Sequence, residues 1–335
     1  MSNNKDVINI DVYKFISYSP KPILFMMEGL VASGKSYVSE KIEVIRNGNI
    51  IKPNIHSSDT LRDELYGNIN EQTHNTELFQ ELHKRIKEDL RKGKDVVYDA
   101  TNINKKRRRA FLNDISQIDC YKICICMLVP YEVCLEQNKS RKRNIPEDVI
   151  KRMYLCWSPP SLDEGFDHIV LAYNYGFVDK NKYTIENFFN GTINANKIEH
   201  NNSHHKLTIG FHCISAADYI EEHYPDNYLL KMAALLHDIG KPFTKSYLNS
   251  HGEIDTNCHY YNHQNCGSYD SFFYLDALGL FQNEILHIAN LIYYHMMPFM
   301  VFKQSEKAKN RVRKQVGEEF FNEIMKLHEA DVYAH

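Results

Sequence analysis

The chain has 335 residues, 43% hydrophobic and 25% charged, with a formal net charge of −3. That length and balance fit a globular chain with room for two domains of ordinary size. They exclude a uniformly basic coat, so any polyanion has to be met by local basic patches. No apolar run reads as long enough to span a bilayer, and Met1 to Asp11 is polar, without the apolar stretch of a signal peptide. The expectation is a cytoplasmic protein with no membrane partner. Its eight cysteines form no C-x-x-C pair, which points to free thiols rather than a zinc knuckle.

In chain order, Pro22 to Met27 is a short continuous apolar run before a glycine loop and reads as a buried parallel strand. Ser36 to Ile45 reads as a helix. Pro53 to His56 ends a further strand, and Asp95 to Tyr98 and Tyr121 to Val129 read as buried strands. Thr76 to Arg91 and Lys105 to Ile115 carry helical spacing. Strands alternating with helices predict an α/β domain with a parallel sheet and helices on both faces. Asn181 to Ser203, dominated by Asn, Lys, Gly and His, reads as a linker. Beyond it Tyr228 to His237, Asn283 to Met296 and Glu318 to Ala330 show helical spacing, and the second half reads as all-α. The expected organisation is a P-loop domain over 18–180, a linker over 181–203 and a helical domain over 204–335.

The run Gly29-Leu30-Val31-Ala32-Ser33-Gly34-Lys35-Ser36 has the form G-x-x-x-x-G-K-S between an expected strand and helix. Backbone N–H groups around Gly29, Ser33 and Gly34 can cradle a triphosphate. Lys35 would reach the β/γ-phosphates and Ser36 would ligate Mg²⁺, implying ATP or another NTP with Mg²⁺ as cofactor. Asp59 and Arg62 lie three apart at the carboxyl edge of the sheet, where ligands bind in such folds. Asp59 reads either as a general base for an attacking hydroxyl or as an N-cap; Arg62 either grips a phosphate or is incidental. Asp99 reads as a water-mediated Mg²⁺ partner or a structural carboxylate. Two basic runs, Lys105-Lys106-Arg107-Arg108-Arg109 and Lys139 with Arg141, Lys142 and Arg143, are either polyanion contacts or solvated helix faces.

Seventeen histidines concentrate toward the second half. His237-Asp238 ends an apolar helix, and an imidazole beside a carboxylate suits a divalent ion. His212, His263, His295 and Asp331 lie on or at the edge of other expected helices, as in a bundle that gathers ligands. His205 reads as a substrate contact or a structural residue. His200, His204 and His251 read as surface residues, and Lys241 as a phosphate contact or a helix-terminal lysine.

Asp59-x-x-Arg62, Asp99-Ala100-Thr101-Asn102, Asn138-Lys139-Ser140-Arg141 and the run from Ile145 to Met153 resemble phage-type 5′-hydroxyl polynucleotide kinases. Pro160-x-x-x-Glu164-Gly165-Phe166-Asp167 is also shared with that P-loop kinase group, and the resemblance covers about Ile23 to Val170. It implies Asp59 as general base, Arg62 on the acceptor's neighbouring phosphate and Arg141 as a lid arginine stabilising the transferring phosphoryl group. Where such lids often carry another arginine four residues earlier, this chain has Gln137, with Arg143 as a substitute. His212, His237-Asp238 and Asp331 resemble the His…His-Asp…Asp pattern of HD-superfamily phosphohydrolases. The surroundings, His200 to His212, Leu235 to Pro242, Tyr261-x-His263 and His295-Met296, resemble the HD domain of bacterial CCA-adding tRNA nucleotidyltransferases. That implies one or two divalent ions (Mn²⁺, Co²⁺, Ni²⁺, Zn²⁺ or Mg²⁺), with His263 and His295 as further ligands and Asp238 as the catalytic carboxylate.

Together the resemblances imply an enzyme that heals nucleic-acid ends. It would phosphorylate 5′-OH ends and remove 2′,3′-cyclic phosphate or 3′(2′)-phosphate. The expected partners are RNA or DNA with such ends and a separate RNA ligase, and a homo-oligomer stays open. The alternatives are a small-molecule or nucleoside kinase fused to a nucleotide phosphohydrolase, and a nucleotide sensor with one inactive domain.

Overall fold

The computed structural model describes residues 7–141, 143–202 and 206–335. Lys142, Ser203, His204 and His205 lie outside the described residues. The chain forms two compact units, 1–150 with 160–176, and 151–159 with 177–335.

The elements up to residue 176 are β1 (Val7–Asn9), β2 (Lys14–Ser17), β3 (Ile23–Gly29), α1 (Lys35–Lys41), β4 (Glu43–Arg46), β5 (Asn49–Ile51), β6 (Asn54–Ser57), α2 (Ser58–Tyr66), α3 (Asn75–Arg91), β7 (Val96–Asp99), α4 (Lys105–Asp114), β8 (Tyr121–Leu128), α5 (Tyr131–Lys139), α6 (Glu147–Leu155) and β9 (His168–Tyr173). Five strands form a parallel sheet in the order β6-β7-β3-β8-β9. β3 is central and buried throughout, which is why it reads as an unbroken apolar run. Ile23, Phe25 and Met27 alternate onto one face, where they pack with Phe15, Val38, Ile42, Val44 and Ile125.

The helix expected over Ser36 to Ile45 stops at Lys41. Ile42 turns extended, and Glu43–Arg46 becomes β4, parallel to β2 and antiparallel to β5. β-branched Val44 and Ile45 favour that state, and Val44 buries in the core under β3. The resulting four-stranded sheet, β1-β2-β4-β5, is an addition to the expected architecture.

Arg108 on α4 has a fully buried side chain. Its Nε and Nη2 donate to the two oxygens of Glu164, each at 2.8 Å, and Nη1 donates to Glu28 at 3.0 Å and to the Asn102 carbonyl at 2.9 Å. The Pro160 to Asp167 run therefore anchors α4 and the residue just before Gly29. Of the two readings of Lys105 to Arg109, polyanion contact or solvated helix face, neither describes the whole run, since Lys105 and Arg108 are buried. Lys105 pairs with Asp163 and Arg109 with the same carboxylate, so with Arg108 three of these cations turn inward, while Lys106 and Arg107 stay exposed.

The second unit carries α7 (Ile185–Phe189), α8 (Ile209–His223), α9 (Tyr228–Leu236), α10 (Lys241–Thr244), β10 (Ser246–Leu248), β11 (Ile254–His259), α11 (His263–Ala277), α12 (Gln282–Tyr294), α13 (Glu306–Val316) and α14 (Glu318–Tyr333). Helices α8, α9, α11, α12 and α14 pack on one another. β10 and β11 add an antiparallel hairpin to the helical unit. Ile254 at its tip is 88% exposed, so the hairpin shows no buried alternation to read. Residues 151–159 pack within this unit: Tyr154 donates to Asp270 at 2.6 Å, and Trp157 meets Tyr269 and Phe272 edge-on. The 181–203 stretch carries α7, with Phe188 and Phe189 buried. Gln282–Phe302 is long and apolar enough to cross a membrane, against the reading that no such run exists, and 56% of its window is buried inside the protein as a core helix.

In the first unit, two buried carboxylates share one guanidinium. Burial pushes Glu28 up to about 7, opposed by Arg108 and reinforced by Glu164. A carboxyl whose pKa rises on folding stabilises most below its unfolded value of 4.5 and loses that contribution as pH climbs through about 7. Stability of the first unit, followed by urea titration with hydrogen exchange at β3, is expected to fall across that window, and Glu28→Gln to flatten the fall. An unchanged slope in the variant contradicts the assignment.

Candidate functional sites

The first site sits at the carboxyl edge of the parallel sheet, where β3, β6 and β7 end at Gly29, Ser57 and Asp99. Gly29 has φ 150°, and a Cβ there would lie 2.8 Å from the Ser33 hydroxyl and 2.9 Å from the Met127 carbonyl, so only glycine fits. Its N–H donates to the Thr101 carbonyl at 3.0 Å, and Asn102 Nδ2 donates to the Met27 carbonyl at 2.8 Å. The Asp99 to Asn102 turn thus fixes the start of the glycine loop. Gly34, with φ 85°, caps α1.

Lys35 curls over this loop, with Nζ donating to the carbonyls of Leu30 at 2.6 Å and Gly29 at 3.1 Å. Burial lowers its pKa, opposed by Asp99. Ser36 donates to Asp99 at 2.7 Å, so the hydroxyl suited to Mg²⁺ and the β7 carboxylate face one point. Burial raises the Asp99 pKa, and the Ser36 bond opposes it.

At the mouth of this edge, Asp59 accepts from Arg143 at 2.6 Å and Arg62 at 3.2 Å. Arg62 also donates to Asn75 at 2.7 Å, and Arg143 to Asn70 at 3.0 Å. Arg143, expected as a nucleotide-phosphate ligand, pairs with the Asp59 carboxylate. Arg141 is exposed, and its charge acts on Lys35. Asn70 and Asn75 escaped the sequence reading because neither sits in a motif.

The second site gathers His212, His237, Asp238, His263, His295 and Asp331 from α8, α9, α11, α12 and α14 or their ends; all six are buried. Two sets of ligand atoms lie close enough to hold an ion each: His212, His237 and Asp331, and Asp238, His263 and His295. Asp238 links them, with Oδ2 3.5 Å from His212 and 3.4 Å from His237, and Oδ1 3.3 Å from His263 and 3.8 Å from His295. Cys213 forms a further set with His237 and Asp238, which sequence reading missed.

Local backbone sets the imidazoles. His237 Nδ1 donates to the Ala234 carbonyl at 2.7 Å, His263 Nδ1 to Tyr260 at 2.7 Å and His295 Nδ1 to Ile292 at 2.6 Å. In each case the acceptor is three residues back, at a helix end where carbonyls or turn groups need partners. His212 Nδ1 donates to the Ala334 carbonyl at 3.1 Å. Each Nε2 thereby faces the cluster, where His212 Nε2 lies 3.1 Å from Asp331 Oδ1. The Nε2 atoms of His212 and His237, and those of His263 and His295, stand 3.1 Å apart. Imidazoles and carboxylates gathered this closely suit a borderline divalent ion.

The charges agree. Burial holds His295 down to about 3 and lowers His212, keeping both as neutral ligands. Burial also works to lower His237, but the Asp238 carboxylate outweighs it and holds the ring well above the ordinary histidine range. The carboxylates demand positive charge at this point. Gly240 shapes the approach: a Cβ there would lie 2.2 Å from the His263 carbonyl, so glycine lets α11 close on the cluster.

One residue at the rim differs from the sequence reading: His200, read as surface, is buried. Lys241 starts α10 and lies 2.5 Å from Asp238 Oδ2. His335 approaches Asp331 at 3.4 Å. His251 is exposed.

Residues 24–160 match the AAA domain, and residues 209–334 match the HD domain. Over 145 residues the chain is 26% identical to the L-seryl-tRNA(Sec) kinase of Methanococcus maripaludis, covering 43% of this chain. The match spans 56% of that relative's length, about half. Among solved structures, a candidate kinase from Chloroflexus aurantiacus is similar at 13% identity and a TM-score of 0.38, over 48% of this chain and 91% of that one. The two domains imply a nucleotide with Mg²⁺ at the glycine loop and a divalent metal at the histidine–aspartate cluster.

Because Asp238 faces both ligand sets, Asp238→Ala is expected to lower Mn²⁺ affinity at least about 100-fold, more than loss of an outer-shell partner. His295→Ala is expected to weaken one set only. Isothermal titration checks both, and tight, unaltered binding by Asp238→Ala rules the cluster out as the metal site.

Proposed function

On the premise that this chain joins a kinase-like P-loop domain to an HD phosphohydrolase domain, we propose that it heals the ends of broken RNA. The kinase half transfers the terminal phosphoryl group of an NTP to a 5′-hydroxyl. The HD half opens a 2′,3′-cyclic phosphate and removes the remaining 3′- or 2′-phosphate, leaving ends that a separate RNA ligase can join.

The observation that carries the reading is Asp59 held between Arg62 and Arg143, at the edge that also presents Lys35 and Ser36. A carboxylate there can take the proton of an attacking hydroxyl, while two guanidiniums beside it suit a phosphate next to that hydroxyl. The name of the archaeal relative, an L-seryl-tRNA(Sec) kinase, also supports a hydroxyl acceptor carried on RNA. Arg141 then stabilises charge on the transferring phosphoryl group. In the HD half the imidazoles and Asp331 would hold a divalent metal, which would supply an activated water and polarise the phosphate. Asp238, whose two oxygens face both sets, would share in holding it.

The inward turn of Lys105, Arg108 and Arg109 favours a second reading, a kinase for a small hydroxyl compound, because it removes basic surface that a polynucleotide would use. Salt separates the two. Under the RNA reading, KM for a 5′-OH RNA rises steeply with ionic strength. Asp59→Ala should lower kcat at least about 100-fold, in the range of general acid–base catalysis. A flat salt response with efficient phosphorylation of a free nucleoside supports the small-molecule kinase instead.

A further inference from the structure

His200 is 1% exposed and Lys241 5% exposed, and the two meet at the rim of the histidine–aspartate cluster. His200 Nδ1 donates to the Leu207 carbonyl at 2.8 Å, which fixes the tautomer and leaves a lone pair on Nε2. That Nε2 lies 3.1 Å from Lys241 Nζ, so the ammonium donates and the imidazole accepts. The same ammonium stands 2.5 Å from Asp238 Oδ2. Tyr260 braces the group: its hydroxyl donates to the His200 carbonyl at 2.6 Å, and its ring centre is 5.5 Å from Lys241 Nζ. The Tyr260 carbonyl in turn takes the Nδ1 proton of His263. His200 precedes the matched HD residues 209–334 and opens the His200 to His212 stretch.

A lysine head group on a four-carbon stem turns freely unless acceptors hold it. We propose that His200 is a positioning residue of the phosphohydrolase. By accepting a hydrogen bond from Lys241 it holds that ammonium against Asp238, so a phosphate oxygen arriving at the cluster meets a fixed positive charge. The inference rests on the phosphohydrolase reading of the cluster and adds to it a residue that acts through Lys241.

The test uses the full chain with Mn²⁺, a 2′,3′-cyclic nucleotide as substrate and inorganic phosphate as inhibitor. His200→Ala is expected to raise KM and the phosphate inhibition constant about tenfold, as for loss of a hydrogen bond to a charged group. Its kcat and its Mn²⁺ affinity by calorimetry should change far less. His200→Gln, whose amide oxygen can accept from Lys241, should recover most of the loss. In a Lys241→Met background, His200→Ala should add nothing further, because the two act as one unit. Additive losses, failure of His200→Gln to recover, or a parallel fall in Mn²⁺ affinity would overturn the role given to His200. Asp238→Asn separates the two levels: full hydrolysis by that variant overturns the phosphohydrolase reading and the role of His200 with it.

Discussion

A carboxylate taken out of water has to be met by positive charge, and that constraint organises both units. Asp238 is 1% exposed and Glu28 is fully buried. Burial alone would raise the pKa of Asp238 and Asp331, yet both are held well below the usual carboxylate range. For Asp238 the opposing charges are Lys241 and His237; for Asp331 the hydrogen bonds come from His212, His237 and His335. In the first unit the same demand is met by Arg108, which binds Glu28 and Glu164 together.

Each solution shapes the chemistry around it. Arg108 fixes α4 and the Asn102 carbonyl, and the Asp99 to Asn102 turn fixes the start of the glycine loop. A structural ion pair thus sets where phosphates can be cradled. In the second unit, three imidazoles spend their Nδ1 protons on carbonyls three residues back, and their Nε2 atoms turn inward as a consequence of helix ends. The ligand set is therefore built by local backbone geometry, with bundle packing bringing five helices to one point.

Much of this was legible in the sequence. The glycine loop, the strands β3, β7 and β8, and the helices α3, α4, α9, α12 and α14 all follow from apolar runs and helical spacing. The six buried residues of the cluster carry motif signals or end apolar helices. What escaped did so for physical reasons. β4 looked helical because Ser36 to Ile45 carries no breaker, and only burial of Val44 under β3 decides for a strand. The β10–β11 hairpin is exposed and so has no core-facing alternation. His200 looked like a surface residue amid Asn and His, because its burial depends on Leu207, Tyr260 and Lys241, which lie far from it in type or in sequence. The basic run at Lys105 to Arg109 looked solvent-facing because its acidic partners lie more than fifty residues away.

The activity proposed is preparation of both ends of a broken RNA strand by one chain. Product analysis of one RNA carrying a 5′-OH and a 2′,3′-cyclic phosphate, incubated with ATP and Mg²⁺, Mn²⁺, Co²⁺, Ni²⁺ or Zn²⁺, tests it most directly. The expected products are a new 5′-phosphate that requires ATP, and a 2′,3′-diol that requires a divalent metal but no ATP. An RNA that keeps both original ends under every metal, while the same protein phosphorylates a free nucleoside, contradicts it.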